Sequence, residues 1–212
     1  MSTSQRSYHH GDLRAALVSS AVEMLEADEP YSMRAVARRA GVSPTAPYRH
    51  FADRTALDSA VAVEGFRDLT ACLEAADDPM AVDEDPVEVL SRLCVVYVSF
   101  ALRRPALFRL MFGNDRDDSA SDRVQASQAL HAVLGDVLAR VLPGEATPSL
   151  STALWGLAHG LAFLHLDGKY HPEPSDEVAG RVRAAVVAVL SVDRGPDRTA
   201  RRRSEAHSRP PC

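Results

Sequence analysis

Apolar residues in the first thirty positions fall on one helical stripe: Leu13, Ala16, Leu17, Ala21, Met24 and Leu25. A helix is therefore expected there, capped by Asp12 and preceded by the short arm Tyr8-His9-His10-Gly11; residues 1–7 are polar. Met33, Val36, Ala37 and Ala40 recur at i, i+3, i+4 and i+7, giving a second, shorter helix one apolar face. Gly41 follows the last apolar position, where a left-handed residue ends a helix, and Val42 is placed to tuck under the turn. Ser43-Pro44 then reads as a restart, a hydroxyl to accept from free N–H groups followed by proline at the first helical position. The helix so begun carries Thr45, Ala46, Tyr48, Arg49 and His50, and Phe51 closes it. Asp53 is the expected cap of a longer helix from Arg54 to about Ala76, in which Leu57, Val61, Phe66, Leu69 and Leu73 keep helical spacing.

An acidic, proline-containing connection spans 77–86, and further helices are expected near 86–103, 105–112, 122–142, 148–166 and 176–191. Their breaks are Pro105, the polar loop 113–121, Pro143-Gly144 and the loop 167–175. No stretch alternates at period two between turn signals, so the fold class is all-α, with about nine helices. There is no internal repeat. After Asp193 apolar periodicity stops, and residues 194–212, with Arg201-Arg202-Arg203, read as a disordered tail.

The helix, three-residue turn with glycine and second helix between Ser32 and Phe51 make a helix-turn-helix, whose second helix enters the major groove of DNA. Charge sharpens this. The 212-residue chain carries a formal net charge of −5, which excludes a generally basic nucleic-acid protein. Residues 32–57 nevertheless hold five arginines, with Asp53 inside the stretch and Asp58 just beyond, so positive charge is local. Pro47 cuts across the pattern. On the fourth residue of the second helix it removes the first intrahelical hydrogen bond and crowds the Ser43 carbonyl, so the helix is expected to start late or tighten. Ala46-Pro47 also offers few polar atoms to bases, which shifts specificity toward thymine methyl contacts and DNA shape.

The same residues resemble the TetR family of bacterial transcriptional regulators. Ser32, Val36, Ala37, Ala40, Gly41, Val42, Ser43, Tyr48, His50, Phe51 and Leu57 stand on its motif positions. Arg54 stands where the family most often has lysine, and Pro47 where it has a large apolar residue. The likeness is motif-specific over about residues 8–66 and weaker beyond. It implies phosphate contacts from Tyr48, His50 and Arg54, and base-facing positions at Thr45, Ala46, Arg34 and Arg49, with Ser43 opening the helix. It also implies a division into a DNA-binding domain over 8–60 and an effector-binding and dimerisation domain over 61–193.

Two runs in the C-terminal part are apolar nearly all round: residues 153–166, with Gly156 and Gly160, and 178–190, with Gly180. A helix apolar on every side is buried on every side. The cover is either the core of a monomer or a two-fold mate completing a four-helix bundle, and a pair of recognition helices one turn apart on DNA favours the mate. In the family the last two long helices usually form a homodimer, and Trp155-Gly156 with His159-Gly160 is similar to a tryptophan-histidine-glycine motif of one branch.

Phe66, Leu69, Tyr97, Phe100, Phe108, Met111 and Phe112, with Leu107, form a second concentration of large apolar groups. They read either as packed core or as walls of a cavity for a small apolar or aromatic effector, with Tyr97, Trp155 and His159 supplying polar contacts. Composition does not separate the two. The resemblance favours the pocket and implies a repressor of a palindromic double-stranded operator that lets go when its effector binds; a regulator without effector, and an activator, are the alternatives.

An enzyme is the remote alternative. His159, His165, Asp167 and His171 invite a metal reading, but the first two are six positions apart and do not share a helix face. There is no Glu-x-x-His, phosphate-binding glycine loop or Gly-x-Ser-x-Gly, so no catalytic residue, metal or cofactor is assigned. Adjacent His9 and His10 point apart and lack a third ligand nearby. Cys72, Cys94 and Cys212 are widely spaced and lack a Cys-x-x-Cys pair, so neither a disulfide framework nor zinc is indicated. No secretory signal opens the chain and no apolar run approaches the roughly 18 residues of a membrane span, so the expectation is a cytoplasmic protein.

Overall fold

The computed structural model describes residues 10–79, 84–113, 121–144 and 147–193. Among them there are eight α-helices, one turn of 3₁₀ helix and no strand. The helices are α1 (His10–Glu26), α2 (Met33–Arg39), α3 (Arg54–Ala76), α4 (Pro86–Arg103), α5 (Pro105–Met111), α6 (Asp122–Val141), α7 (Pro148–Leu166) and α8 (Ser175–Asp193). The 3₁₀ turn, Ala46–Arg49, lies between α2 and α3. The arm at Tyr8-His9 and the tail from 194 onward fall outside the described residues.

Local chemistry sets most boundaries. The Ser32 hydroxyl accepts from Ala35 N–H at 3.2 Å and starts α2. At the other end Val42 N–H reaches Ala37 O at 2.9 Å and Gly41 N–H reaches Arg38 O at 3.2 Å. That is a Schellman ending, with Gly41 at φ +71°. Asp53 accepts from Ala56 N–H at 2.9 Å and starts α3. Pro86, Pro105 and Pro148 sit at helix starts, where a missing N–H costs nothing. One expected cap is corrected: α1 begins at His10, two residues ahead of Asp12.

α3, about 35 Å long at 1.5 Å per residue, is the central element. Its Leu57, Ala60 and Val61 are buried near α1, while Phe66, Leu69 and Leu73 are buried farther along, where α4, α5 and α6 pack on it. α6 runs beside α3; α7 and α8 pack on α4 and on each other. One continuous apolar core results, from Leu17 on α1 to Leu190 on α8. Arg104, between α4 and α5, pairs with Glu26 of α1 and, at 2.5 Å, with Asp68 of α3. Arg123, buried at the start of α6, donates to the carbonyls of Leu110, Met111 and Gly113 at 3.1–3.2 Å and closes the end of α5. No helix among the described residues is long and apolar enough to cross a membrane.

Candidate nucleic-acid interface and an interior cavity

The expected second helix of the helix-turn-helix is a single 3₁₀ turn, and its proline content explains why. Neither Pro44 nor Pro47 has an N–H to give, so Ala46 N–H bonds Ser43 O and His50 N–H bonds Pro47 O, each at 2.9 Å and three residues apart. Ser43 does not cap it. Its hydroxyl lies 3.3 Å from the Thr45 hydroxyl, and the turn begins at Ala46 without a side-chain cap. Pro47 is buried, taking the place of an apolar anchor beneath the turn.

With Pro47 turned in, Tyr48 and Arg49 turn out, and Tyr48 is 53% exposed. Ser43, Thr45, Arg34 and Arg38 are exposed as well; Ala46 and His50 are half-buried. Among the described residues no carboxylate pairs with Arg34, Arg38 or Arg49, whereas Arg39 is bound to Glu23 at 3.1 Å and Glu29 at 2.6 Å. Free arginines thus crowd one side of α2 and the turn, and the paired one faces α1.

Arg54 is held rather than loose. Its guanidinium stacks 4.8 Å from the Tyr31 ring centroid, and Nε lies 3.4 Å from Asp58 Oδ2. Burial, then the Asp58 carboxylate beside it, raises the Tyr31 phenol well above its usual range, so the ring stays neutral under the cation. On the other flank Arg14 of α1 lies over Phe51 at 5.3 Å. Sequence reading passed over Arg14 and Tyr31, because neither is part of the helix-turn-helix spacing; only the packing of α1 on α3 brings them near.

The aromatic residues farther along are largely core. Phe66, Leu69, Phe100, Phe108 and Met111 are essentially fully buried. Phe66, Phe108, Phe112, His159 and Phe163 form a chain of ring contacts with centroids 4.6 to 5.8 Å apart. The Tyr97 hydroxyl lies 2.9 Å from His159 Nδ1. Burial raises the Tyr97 phenol above its usual range, and burial, with His131 nearby, lowers His159, so both are neutral.

A cavity of about 40 Å³ lies beside this cluster, walled by α3, α4, α6 and α7. Leu73, Leu93, Cys94, Leu130, Leu134 and Leu154 are among the residues that line it. Of the expected pocket residues Tyr97 and Trp155 line it, and the other seven do not. Burial pushes the Cys94 thiol up to about 12, so it is an apolar wall group. His131, which the sequence reading missed, stands in the wall edge-on to Trp155. No group of three or more metal-ligating side chains occurs among the described residues; His165 is buried against Arg181, and His171 is exposed.

Residues 90–190 match the family model described as Tetracyclin repressor-like, C-terminal domain. A Rhodococcus sp. RHA1 protein of unknown function is 35% identical, with a TM-score of 0.69 over 86% of this chain and 97% of that one. A TetR transcriptional regulator from Rhodococcus sp. RHA1 is 24% identical, with a TM-score of 0.60 over 86% and 98%. A TetR-family transcriptional regulator from Streptomyces coelicolor is 17% identical, with a TM-score of 0.68 over 87% and 83%. The last two likenesses are of fold alone. No curated protein sequence matches the chain.

Proposed function

The chain belongs to the TetR family of transcriptional regulators, and from that premise we propose that it is a sequence-specific DNA-binding repressor that acts as a homodimer and is released by a small effector. The observation that carries the DNA reading is the outward turn at Tyr48 and Arg49 beside Arg34 and Arg38, which pair with no carboxylate among the described residues. Such a surface suits a phosphate backbone, because it has guanidinium groups to replace counterions and an exposed phenol to reach a phosphate oxygen. Tyr48, His50 and Arg54 are the proposed phosphate contacts, and Ser43, Thr45, Ala46, Arg34 and Arg49 the proposed groove-facing set. The division near residue 60, with DNA contacts before it and effector and dimer functions after it, is part of the proposal.

Support for the homodimer comes from the exposed sides of α7 and α8. Ala153, Gly156, Gly160 and Leu164 line one, and Gly180, Ala184, Val187 and Ala188 the other. A Cβ at Gly156, Gly160 or Gly180 would meet only open space within the chain, so nothing inside it calls for glycine. A second copy packed closely against these helices does. Effector release is then a shift of population between two spacings of the paired 3₁₀ turns, with α3 as the link, since it starts at the turn and ends in the cavity wall.

Fluorescence anisotropy with labelled DNA from upstream of the protein's own gene, against shuffled DNA at two salt concentrations, tests the reading. A preference that survives about 150 mM salt, where non-specific binding is typically micromolar or weaker, is expected, together with a dimer by sedimentation. Equal affinity for both DNAs, or a monomer at micromolar concentration, overturns the corresponding part.

A further inference from the structure

One end of the apolar cavity carries two buried polar atoms that make no hydrogen bond of ordinary geometry among the described residues. His131 and Trp155 meet edge to face there, with centroids 4.4 Å apart. His131 Nδ1 lies 2.7 Å from the Ser127 carbonyl oxygen. A carbonyl only accepts, so Nδ1 carries the proton and the neutral ring presents a lone pair at Nε2. That Nε2 is buried with no hydrogen-bond partner. Trp155 Nε1, which can only donate, is likewise buried; it lies near the Tyr97 hydroxyl without a hydrogen bond of ordinary geometry. One acceptor and one donor on adjoining rings are the complement of a hydroxyl group, which gives one hydrogen bond and takes another.

Resting on the effector reading above, we propose that this cavity binds a small, neutral, apolar molecule bearing a hydroxyl, which donates to His131 Nε2 and accepts from Trp155 Nε1. Neutrality follows from the walls: no arginine or lysine lines the cavity, so a carboxylate would be buried without a counter-charge. The regulation follows from size. At about 40 Å³ the space takes the hydroxyl end but not a ring; benzene occupies an engineered cavity of about 150 Å³. The apolar body of the ligand therefore has to part α6 from α4 and α7. α6 supplies Leu130, His131, Val133 and Leu134 to the wall and packs along α3, so the displacement bears on the helix that begins at the DNA-facing turn.

The test uses 4-propylphenol, 4-propylanisole and 4-propylbenzoate at pH 8, above the ordinary imidazole range. Binding is read by calorimetry and by the fluorescence of Trp155, the chain's only tryptophan. The phenol is expected to bind at least about tenfold more tightly than the anisole, whose oxygen has no proton to give, and the benzoate not to bind. His131→Phe should bring the phenol to the anisole's affinity and leave the anisole unchanged; Trp155→Phe, read by calorimetry, should weaken the phenol and the anisole alike, because the oxygen of each can accept from Nε1. The comparison of the three probes on the unaltered chain stands even if a variant folds poorly. Equal binding of phenol and anisole overturns the inference and leaves the cavity as an apolar effector site. Tightest binding by the benzoate overturns neutrality, and with it the inference. No binding by any probe at millimolar concentration overturns the inference and the cavity's role as an effector site, leaving the DNA-binding reading, which anisotropy tests separately, intact.

Discussion

At Pro47 a single side chain decides how its neighbours face solvent. With no N–H to give to Ser43 and its ring buried, it tightens the segment to a 3₁₀ turn and leaves Tyr48 and Arg49 outside. The sequence carried the tightening, since proline chemistry is local, but not the failure of Ser43 to cap, because the turn starts two residues later than the Ser-Pro signal suggests. Arg54 shows the other limit: its stacking on Tyr31 and pairing with Asp58 depend on a ring 23 positions earlier that no spacing rule connects to it. A held guanidinium loses less freedom on meeting a phosphate than a loose one. Arg54→Ala and Tyr48→Ala are therefore expected to weaken binding to all DNA sequences, Arg54→Ala also lowering the salt slope by about one. Thr45→Ala should instead change base preference. Unchanged affinity and slope for Tyr48→Ala and Arg54→Ala would move the proposed DNA face elsewhere.

Among the elements, ranges were legible and contacts were not. The boundaries of α2, α3 and α4 stand at the caps, the glycine and the proline visible in the sequence, because each boundary is set within a few residues. Gly65 was an unmarked position in the apolar run of α3. In the fold a Cβ there would lie 2.6 Å from Met111 Sδ and 2.8 Å from its Cγ, so the missing side chain is what lets α5 sit on α3. Met111 is 1% exposed and has little room to swing away. Gly65→Ala is accordingly expected to destabilise the protein by about 1–3 kcal/mol, read as a lower denaturant midpoint at unchanged m. An unaltered midpoint would mean that Met111 repacks freely. His131 and Trp155 make the same point: they are 24 residues apart, on α6 and α7, and only helix packing sets them edge to face.

Over the whole molecule, the described large apolar side chains left exposed are few: Tyr48, Leu164, Tyr170 and Val187. One belongs to the proposed DNA face and two to the exposed sides of α7 and α8, where a second copy is proposed to pack. Buried histidines give the molecule a direction of pH dependence. Burial is the main cause holding His159 and His165 below the ordinary imidazole value of 6.5, with Arg181, 3.3 Å from His165 Nε2, adding to it there. Both are neutral when folded, while the unfolded chain takes up protons near 6.5. Their contribution is therefore full above that pH and is lost as pH falls through it toward the lower folded values. The melting temperature is expected to fall between pH 7.5 and 5.5, and His165→Asn to flatten the fall; an equally steep fall in the variant would exclude His165 as its source. The sequence by itself determined the all-α class, the ranges of most of the long helices and the glycine turn that ends α2, because periodicity, caps and prolines act over a few residues along the chain. Tertiary structure alone decided which aromatics are core and which border a cavity, which arginines are paired and which are free, and where two polar atoms lack partners. Those are properties of surfaces brought together from distant positions, and burial, not spacing, sets them.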